Sequence, residues 1–118
     1  MKPQLSTVML AASLLLGGTV AQAQTVKIGF LGTLSGPAGA LGQDQYDAFM
    51  LGVEHLGGKF GGATVQVVKE DDQLKPDLGV QLAQKLIEKD KVNLITGVIF
   101  SNVMLSVHMP ITYAVMIV

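Results

Sequence analysis

Residues 30–45 read FLGTLSGPAGALGQDQ, and their four glycines and one proline join two segments of different hydrophobic period. The segment before them, TVKIGFL at residues 25–31, is short, apolar and β-branched, which predicts a β-strand. After them, apolar side chains recur at helical spacing from Tyr46 to Leu56, which predicts an amphipathic helix with Asp44 as its N-cap or first-turn acid. The stretch is therefore a strand-to-helix turn, where α/β proteins commonly bind ligands.

The rest of the chain continues this alternation of strands and helices. Residues 63–70 and 91–96 have the composition of strands, helices are predicted to begin near Pro76 and Asn102, and GGKFGG at residues 57–62 is typical of a turn. The order β-α-β-α-β-α predicts an α/β fold with a parallel, doubly wound sheet. Ligands of such sheets bind beyond the carboxyl ends of the strands.

Composition narrows the class of protein. The chain has 118 residues, 49% of them hydrophobic, and a formal net charge of −1. Its lysines are scattered and it has no arginine, so we expect no nucleic-acid partner. Without cysteine it has neither disulfides nor Cys-ligated metals, and His55 and His108 lack a second histidine at helical spacing. The sequence therefore predicts no metal site and no cofactor.

The glycine-rich turn does not fit a phosphate-binding loop. A dinucleotide fingerprint would need glycine where Pro37 stands, and a Walker loop would need a lysine between Lys27 and Lys59. Asp71 and Asp72 have the composition of a catalytic or magnesium-binding pair, but acids before a helix also favour its positive end. An enzyme domain that binds a nucleotide or flavin is kept as an alternative, and no catalytic residue is predicted.

The junction before the third helix is a better candidate for ligand binding. The first N–H groups of a helix have no partner within it, and the macrodipole favours an anion there. Ser101 adds a hydroxyl and Asn102 an amide. This pattern predicts a site for a small carboxylate, although Ser101 could equally act as the N-cap of the helix.

The N-terminus has the pattern of an export signal. Lys2 is followed by an apolar block at residues 8–16 and by the small-x-small pattern Ala21-Gln22-Ala23. The apolar block is shorter than the roughly 20 residues of a transmembrane helix. We therefore expect cleavage between Ala23 and Gln24 and a periplasmic mature chain.

Three segments together resemble the periplasmic solute-binding proteins of ABC importers, of the branched-chain amino acid (leucine-binding) type. They are VKIGFLGTLSGPAGALGQDQYDAF, GGKFGGATVQVVKEDDQLKPD and ITGVIFSNVML. The resemblance implies the type I periplasmic-binding-protein fold, in which two α/β lobes close over a ligand. It also implies delivery of that ligand to a membrane permease, and no catalysis.

The resemblance also assigns roles to individual residues. It places Leu41 over the ligand, where relatives often have an aromatic side chain, and Ser101 and Asn102 at the ligand carboxylate. Phe100 precedes that pair, and Ser35 lies across from it in the first turn. The implied ligand is an amino acid first, and an aromatic carboxylate as the alternative.

The chain is much shorter than the proteins it resembles. We therefore expect residues 1–23 to be a signal peptide and residues 24–118 to be a truncated first lobe, which supplies one wall of the cleft. A ligand-sensing regulator on the same fold is a further alternative. Such a regulator would need no export signal if it worked in the cytoplasm.

Export gives the first testable prediction. Periplasmic material should contain a chain that begins at Gln24, because the Ala21-x-Ala23 pattern fits the small-residue pocket of signal peptidase. Intact-mass measurement checks this. A membrane-bound species that retains Met1 would contradict it.

Overall fold

The computed structural model describes the backbone of residues 24–116 and the side chains of residues 24–112. The predicted signal segment, with Ala23, lies outside the described residues. The elements in chain order are β1 (Thr25–Gly32), α1 (Gly39–His55), β2 (Lys59–Phe60), β3 (Ala63–Asp71), α2 (Pro76–Gln84), which continues into a π-helical turn (Lys85–Lys89), β4 (Leu94–Thr96) and α3 (Ser101–Met116).

The sheet has the strand order β2-β3-β1-β4. Strand β1 pairs in parallel with β3 on one side and with β4 on the other. In register, Gly32 lies opposite Asp71, and Phe30 lies opposite Thr96. The predicted parallel α/β arrangement is therefore confirmed for β1, β3 and β4, and the carboxyl ends of these three strands share one edge of the sheet.

The sheet is mixed rather than purely parallel, which corrects the prediction. The GGKFGG segment was predicted to be only a turn, but Lys59 and Phe60 form β2, which pairs antiparallel with the start of β3. Glycine pairs flank the two residues, and all four glycines have positive φ, a region that side chains disfavour. These glycines let the chain reverse twice within a few residues, so the segment forms a hairpin.

Both faces of β1 are covered, as expected for a doubly wound sheet. On one face the Phe30 ring contacts Tyr46 and Phe49 of α1, with ring centroids 5.0 and 5.6 Å apart. On the other face Leu31 belongs to a fully buried cluster. That cluster consists of Leu31, Ala83, Leu86, Val103 and Val107.

Helices α2 and α3 lie on the same face and approach each other closely at Gly79. A Cβ atom added to Gly79 would lie 2.8 Å from Val103 Cγ1. Because Gly79 has no side chain, α3 can approach α2 closely enough for Val103 and Val107 to join the buried cluster. Pro76 occupies the first turn of α2, as the sequence predicts.

Helix α1 begins earlier than predicted. Its N-cap position is Ala38 and its first residue is Gly39, so the assignment of Asp44 to the N-cap or first turn is wrong. The cause is the turn before it, in which the Gly39 N–H donates to the Gly36 carbonyl at 3.0 Å, with Pro37 between them. Leu56, predicted on the buried stripe, lies at the C-cap and is 57% exposed.

Strand β4 is shorter than its sequence predicts. Residues 91–93 precede it, and Lys91 has a positive φ of 54°. Asn93 still connects to β1, because its N–H donates to the Lys27 carbonyl and its side-chain oxygen accepts the Lys27 N–H. Within residues 24–116, no helix is both long enough and apolar enough to cross a membrane.

The close contact between α1 and the Thr33 carbonyl predicts how a substitution at Gly42 changes the stability of the protein. Gly42→Ala should lower the free energy of unfolding by about 1–3 kcal/mol or more, since a Cβ atom there would lie 1.8 Å from the Thr33 carbonyl oxygen. The matched control is Gly52→Ala in the same helix, where nothing lies within 4 Å of the added Cβ.

The control should be neutral or stabilising by about 0.5–1 kcal/mol, because alanine favours helix over glycine. Urea unfolding of both variants checks the prediction. Equal stability of the two variants would contradict it.

Candidate functional site

Three loops meet at the carboxyl edge of the parallel strands: loop 1 (residues 33–38) after β1, loop 2 (residues 72–75) after β3 and loop 3 (residues 97–100) after β4. Helix α1 lies on one face of the sheet, whereas α2 and α3 lie on the other. Loops 1 and 3 therefore lead to opposite faces from neighbouring strands. This switch point is where open α/β sheets form their ligand crevice.

Loops 1 and 3 lie close together at the start of this crevice. A Cβ atom added to Gly32 would lie 3.5 Å from the Gly97 carbonyl oxygen. Gly97 itself has a φ of +100°, and a Cβ atom there would lie 2.9 Å from Phe30 Cζ. Loop 3 therefore leaves the sheet directly over the Phe30 ring, which only glycine permits.

The glycines of loop 1 and α1 serve close packing of the helix on the loop. Added Cβ atoms at Gly39 and Gly42 would lie 3.0 Å from the Leu34 carbonyl oxygen and 1.8 Å from the Thr33 carbonyl oxygen. The first turn of α1 thus rests on the loop backbone. This contact gives the glycine-rich stretch a physical role that involves no phosphate.

The predicted site residues occupy the two sides of the switch point. Ser35 lies in loop 1 and is exposed, and Leu41 lies in the first turn of α1 and is 55% exposed. Ser101 and Asn102 are the exposed first residues of α3. Phe100 is half-buried and packs against the buried cluster of α2 and α3.

The start of α3 is set by its first helical hydrogen bond. The Met104 N–H donates to the Phe100 carbonyl at 2.9 Å, which puts Phe100 at the N-cap and Ser101 one position inside the helix. The N–H groups of residues 101–103 precede that bond and have no carbonyl of the helix to pair with. They are available to an anion, and the Ser101 hydroxyl lies beside them.

Sequence reasoning missed a hydrogen-bonded network at the base of loop 1. The Thr33 hydroxyl donates to Asp72 Oδ1 at 2.5 Å, and the Leu34 N–H donates to Asp71 Oδ1 at 2.8 Å. Thr33 and Asp72 are each 1% exposed. The only sequence signal was the pair of acids after the second strand, which carries no information about a partner 39 residues away.

Asp71 lies at the surface of this network. Burial raises the pKa of its carboxyl, but hydrogen bonds from the Ser35 hydroxyl and from the N–H groups of Leu34, Gln73 and Ser35 outweigh that effect. The pKa of Asp71 is therefore lowered from its ordinary value of 3.8.

Comparison with known proteins shows what this chain is similar to. Residues 25–111 match the family model described as periplasmic binding protein. A curated relative, Leu/Ile/Val-binding protein homolog 6 of Brucella abortus (strain 2308), is 38% identical over 90 residues, which cover 73% of this chain and 22% of the relative.

Solved structures share the fold. An ABC transporter substrate-binding protein from Sphaerobacter thermophilus superimposes with a TM-score of 0.74 and 34% identity, over 77% of this chain and 24% of that protein. A solute-binding protein of an ABC transporter from R. palustris, in complex with 4-hydroxybenzoate, gives a TM-score of 0.72 and 36% identity over 77% and 25% of the two chains. This chain thus spans about a quarter of the length of the proteins it matches.

The lowered pKa of Asp71 predicts how stability depends on pH. Because the folded-state pKa lies below the unfolded-state value, the ionised carboxylate stabilises the fold above that unfolded value, 3.8, and the stabilisation is lost as pH falls through the folded-state pKa. Asp71→Asn should therefore be less stable than the wild type at pH 6, and the difference should shrink as the pH is lowered below about 4.

Urea unfolding at a series of pH values checks this prediction. Asp44→Asn, which removes an exposed carboxylate in the middle of α1, is the control for net charge. A constant difference between the wild type and Asp71→Asn across the series would contradict the prediction.

Proposed function

We propose that this chain, which belongs to the periplasmic binding protein family, forms one wall of a cleft that binds a small carboxylate ligand for import. The observation that carries the proposal is the parallel pairing of β1 with both β3 and β4. That pairing brings loop 1 and the N-terminus of α3 to the two sides of the switch point. The proposed site therefore lies at the position where sheets of this type bind ligands.

The chemistry of the α3 N-terminus suits a carboxylate. Its first N–H groups and the positive end of the macrodipole attract an anion. Ser101 and Asn102 are exposed and carry a hydroxyl and an amide that donate hydrogen bonds. We propose that these two residues hold the ligand carboxylate, with the half-buried Phe100 supporting the turn from below.

The opposite side of the crevice suits the body of the ligand. Leu41 is exposed in the first turn of α1, and Ser35 is exposed in loop 1. An aliphatic side chain and a hydroxyl there would contact a ligand that has an apolar body and a carboxylate at one end. Branched-chain amino acids and aromatic carboxylates both meet this description.

We propose an amino acid as the first ligand class. It is supported by the name of the Brucella relative, a Leu/Ile/Val-binding protein homologue. The alternative class, aromatic carboxylates, is supported by the R. palustris solute-binding protein, which has 4-hydroxybenzoate bound and is 36% identical to this chain.

The proposed biology follows from the family. Its members are solute-binding proteins, so we propose that this chain performs no catalysis and needs no cofactor. The proposed partner is the membrane permease of an ABC importer, and the proposed location is the periplasm after cleavage between Ala23 and Gln24.

Substitution of Ser101 tests the carboxylate site. The test protein is a chimera in which residues 25–111 replace the matching segment of the Sphaerobacter thermophilus protein, titrated by calorimetry with L-leucine and with 4-hydroxybenzoate. Ser101→Ala should weaken binding of the preferred ligand roughly 10- to 150-fold, because it removes one hydrogen bond to a charged group worth about 1.5–3 kcal/mol.

Ser106→Ala is the matched control. It lies one turn further along the same helix, and its hydroxyl already donates to the Asn102 carbonyl at 3.1 Å. It should change the affinity little. Equal affinities of the Ser101 and Ser106 variants would reject the assignment of Ser101, and a chimera that binds neither ligand would reject the proposed ligand class.

A further inference from the structure

We propose that Asp71 and Asp72 are positioning residues, which hold loop 1 in the conformation that it presents to the crevice without contacting the ligand themselves. The inference rests on the proposed function only in taking loop 1 as one side of the site. The hydrogen bonds at the base of the loop carry it, and they stand whichever ligand is bound.

Each of the two carboxylates connects loop 1 to loop 2 through a single oxygen atom. Asp71 Oδ1 accepts the Leu34 N–H of loop 1 at 2.8 Å and the Gln73 N–H of loop 2 at 2.9 Å. Asp72 Oδ1 accepts the Thr33 hydroxyl at 2.5 Å and the Leu74 N–H of loop 2 at 2.8 Å. Loop 1 therefore cannot move away without breaking bonds at the atoms that also shape loop 2.

The backbone adds a third connection at the same place. The Asp72 N–H donates to the Gly32 carbonyl at 3.0 Å, which extends the pairing of β1 with β3 by one residue beyond their register. The Asp72 carbonyl then accepts the Lys75 N–H at 2.8 Å, at the start of α2. Asp72 is thus joined to β1, to loop 1 and to the beginning of α2.

Loop 2 has a conformation that these bonds help to maintain. Gln73 and Leu74 have positive φ values of 53° and 59°, which are unfavourable for residues other than glycine. Their N–H groups are the ones that donate to Asp71 and Asp72. The carboxylates therefore compensate for backbone strain in loop 2 while they hold loop 1.

Water cannot easily take the place of the hydrogen bond between Thr33 and Asp72, because both residues are buried. Thr33 and Asp72 are each 1% exposed, so loss of the Thr33 hydroxyl would leave a buried carboxylate one donor short. The tip of the loop, residues 35–37, is exposed. A fixed base and an exposed tip are what a loop needs to hold a side chain such as Ser35 at a ligand.

The test measures amide hydrogen exchange by NMR in the full chain and in four variants. Thr33→Val removes the donor to Asp72 at nearly constant volume, and Thr33→Ser keeps it. Asp71→Asn removes the charge of the more exposed acid and is the milder change. Asp77→Asn, an exposed acid in the first turn of α2, is the control for charge.

Exchange of the Leu34, Gln73 and Leu74 amides should be at least roughly ten-fold faster in Thr33→Val and Asp71→Asn, because each change removes or weakens a hydrogen bond that joins loop 1 to a carboxylate, and release of loop 1 should let both loops open more often. The amides in the centres of β1 and β3 should keep their protection, and Thr33→Ser and Asp77→Asn should resemble the wild type. Unchanged exchange at Leu34 and Leu74 in both affected variants would overturn the proposal. If Thr33→Val does not fold, Asp71→Asn alone decides it.

A second measurement separates this inference from the proposed function. The same variants are also made in the chimera with the Sphaerobacter thermophilus protein, which is titrated with L-leucine and with 4-hydroxybenzoate while the amide signals of Ser101 and Asn102 are followed. A response in the wild type that weakens in Thr33→Val and Asp71→Asn, but not in Thr33→Ser, supports positioning. A wild type that responds to neither probe contradicts the proposed ligands, and the exchange rates then decide the role of the two acids.

A response that keeps the wild-type affinity in every variant would overturn the positioning role, even if loop 1 became more mobile.

Discussion

The pairing of β1 with a parallel strand on each side is the constraint on which the other features of the structure depend. It buries Phe30 against α1 and Leu31 against α2 and α3, so one strand organises both halves of the core. It also aligns the carboxyl ends of three strands in one edge. Every candidate ligand-binding residue follows one of those ends, and the neighbouring helices diverge to opposite faces. The location of the site is thus a consequence of strand order and not of any single motif.

Close packing of the backbone determines the shape of loop 1. The first turn of α1 lies against the Thr33 carbonyl, and Gly97 lies against the Phe30 ring, so glycine at these positions removes steric conflict. A glycine-rich turn between a strand and a helix is also what a phosphate-binding loop looks like in sequence. The two cases differ in what the glycines approach. Here they approach the carbonyl groups and side chains of the same protein.

Electrostatics then fixes the loop to the sheet. Two consecutive carboxylates at the end of β3 accept hydrogen bonds from both neighbouring loops, one at the surface and one buried. In the proposed site, the two acids hold loop 1 and the N-terminus of α3 binds the anion. We propose this division because carboxylates repel a negatively charged ligand, whereas the N-terminus of a helix attracts it.

Much of the fold could be predicted from local sequence. The period of apolar residues predicted the strands and helices, Pro76 predicted the start of α2, and the order of elements predicted parallel pairing and the edge at which the proposed site lies. These features are local because periodicity and the special backbone preferences of proline act within a few residues. The sequence also located the three loops, since these connect the elements.

What only the tertiary structure decided depends on particular contacts, some of which join residues distant in sequence. Helix α1 begins at Gly39 rather than near Asp44 because the turn closed by the Gly39 N–H and the Gly36 carbonyl leads directly into it, and Leu56 lies at the C-cap, where it is exposed. The short strand β2 exists because its two residues have β3 to pair with. Asp71 and Asp72 look like any acids before a helix until the fold brings Leu34 and Thr33 to them across 37 and 39 residues. Local patterns carry no information about the contacts of these two acids, because the residues that make them meet only once the sheet has formed.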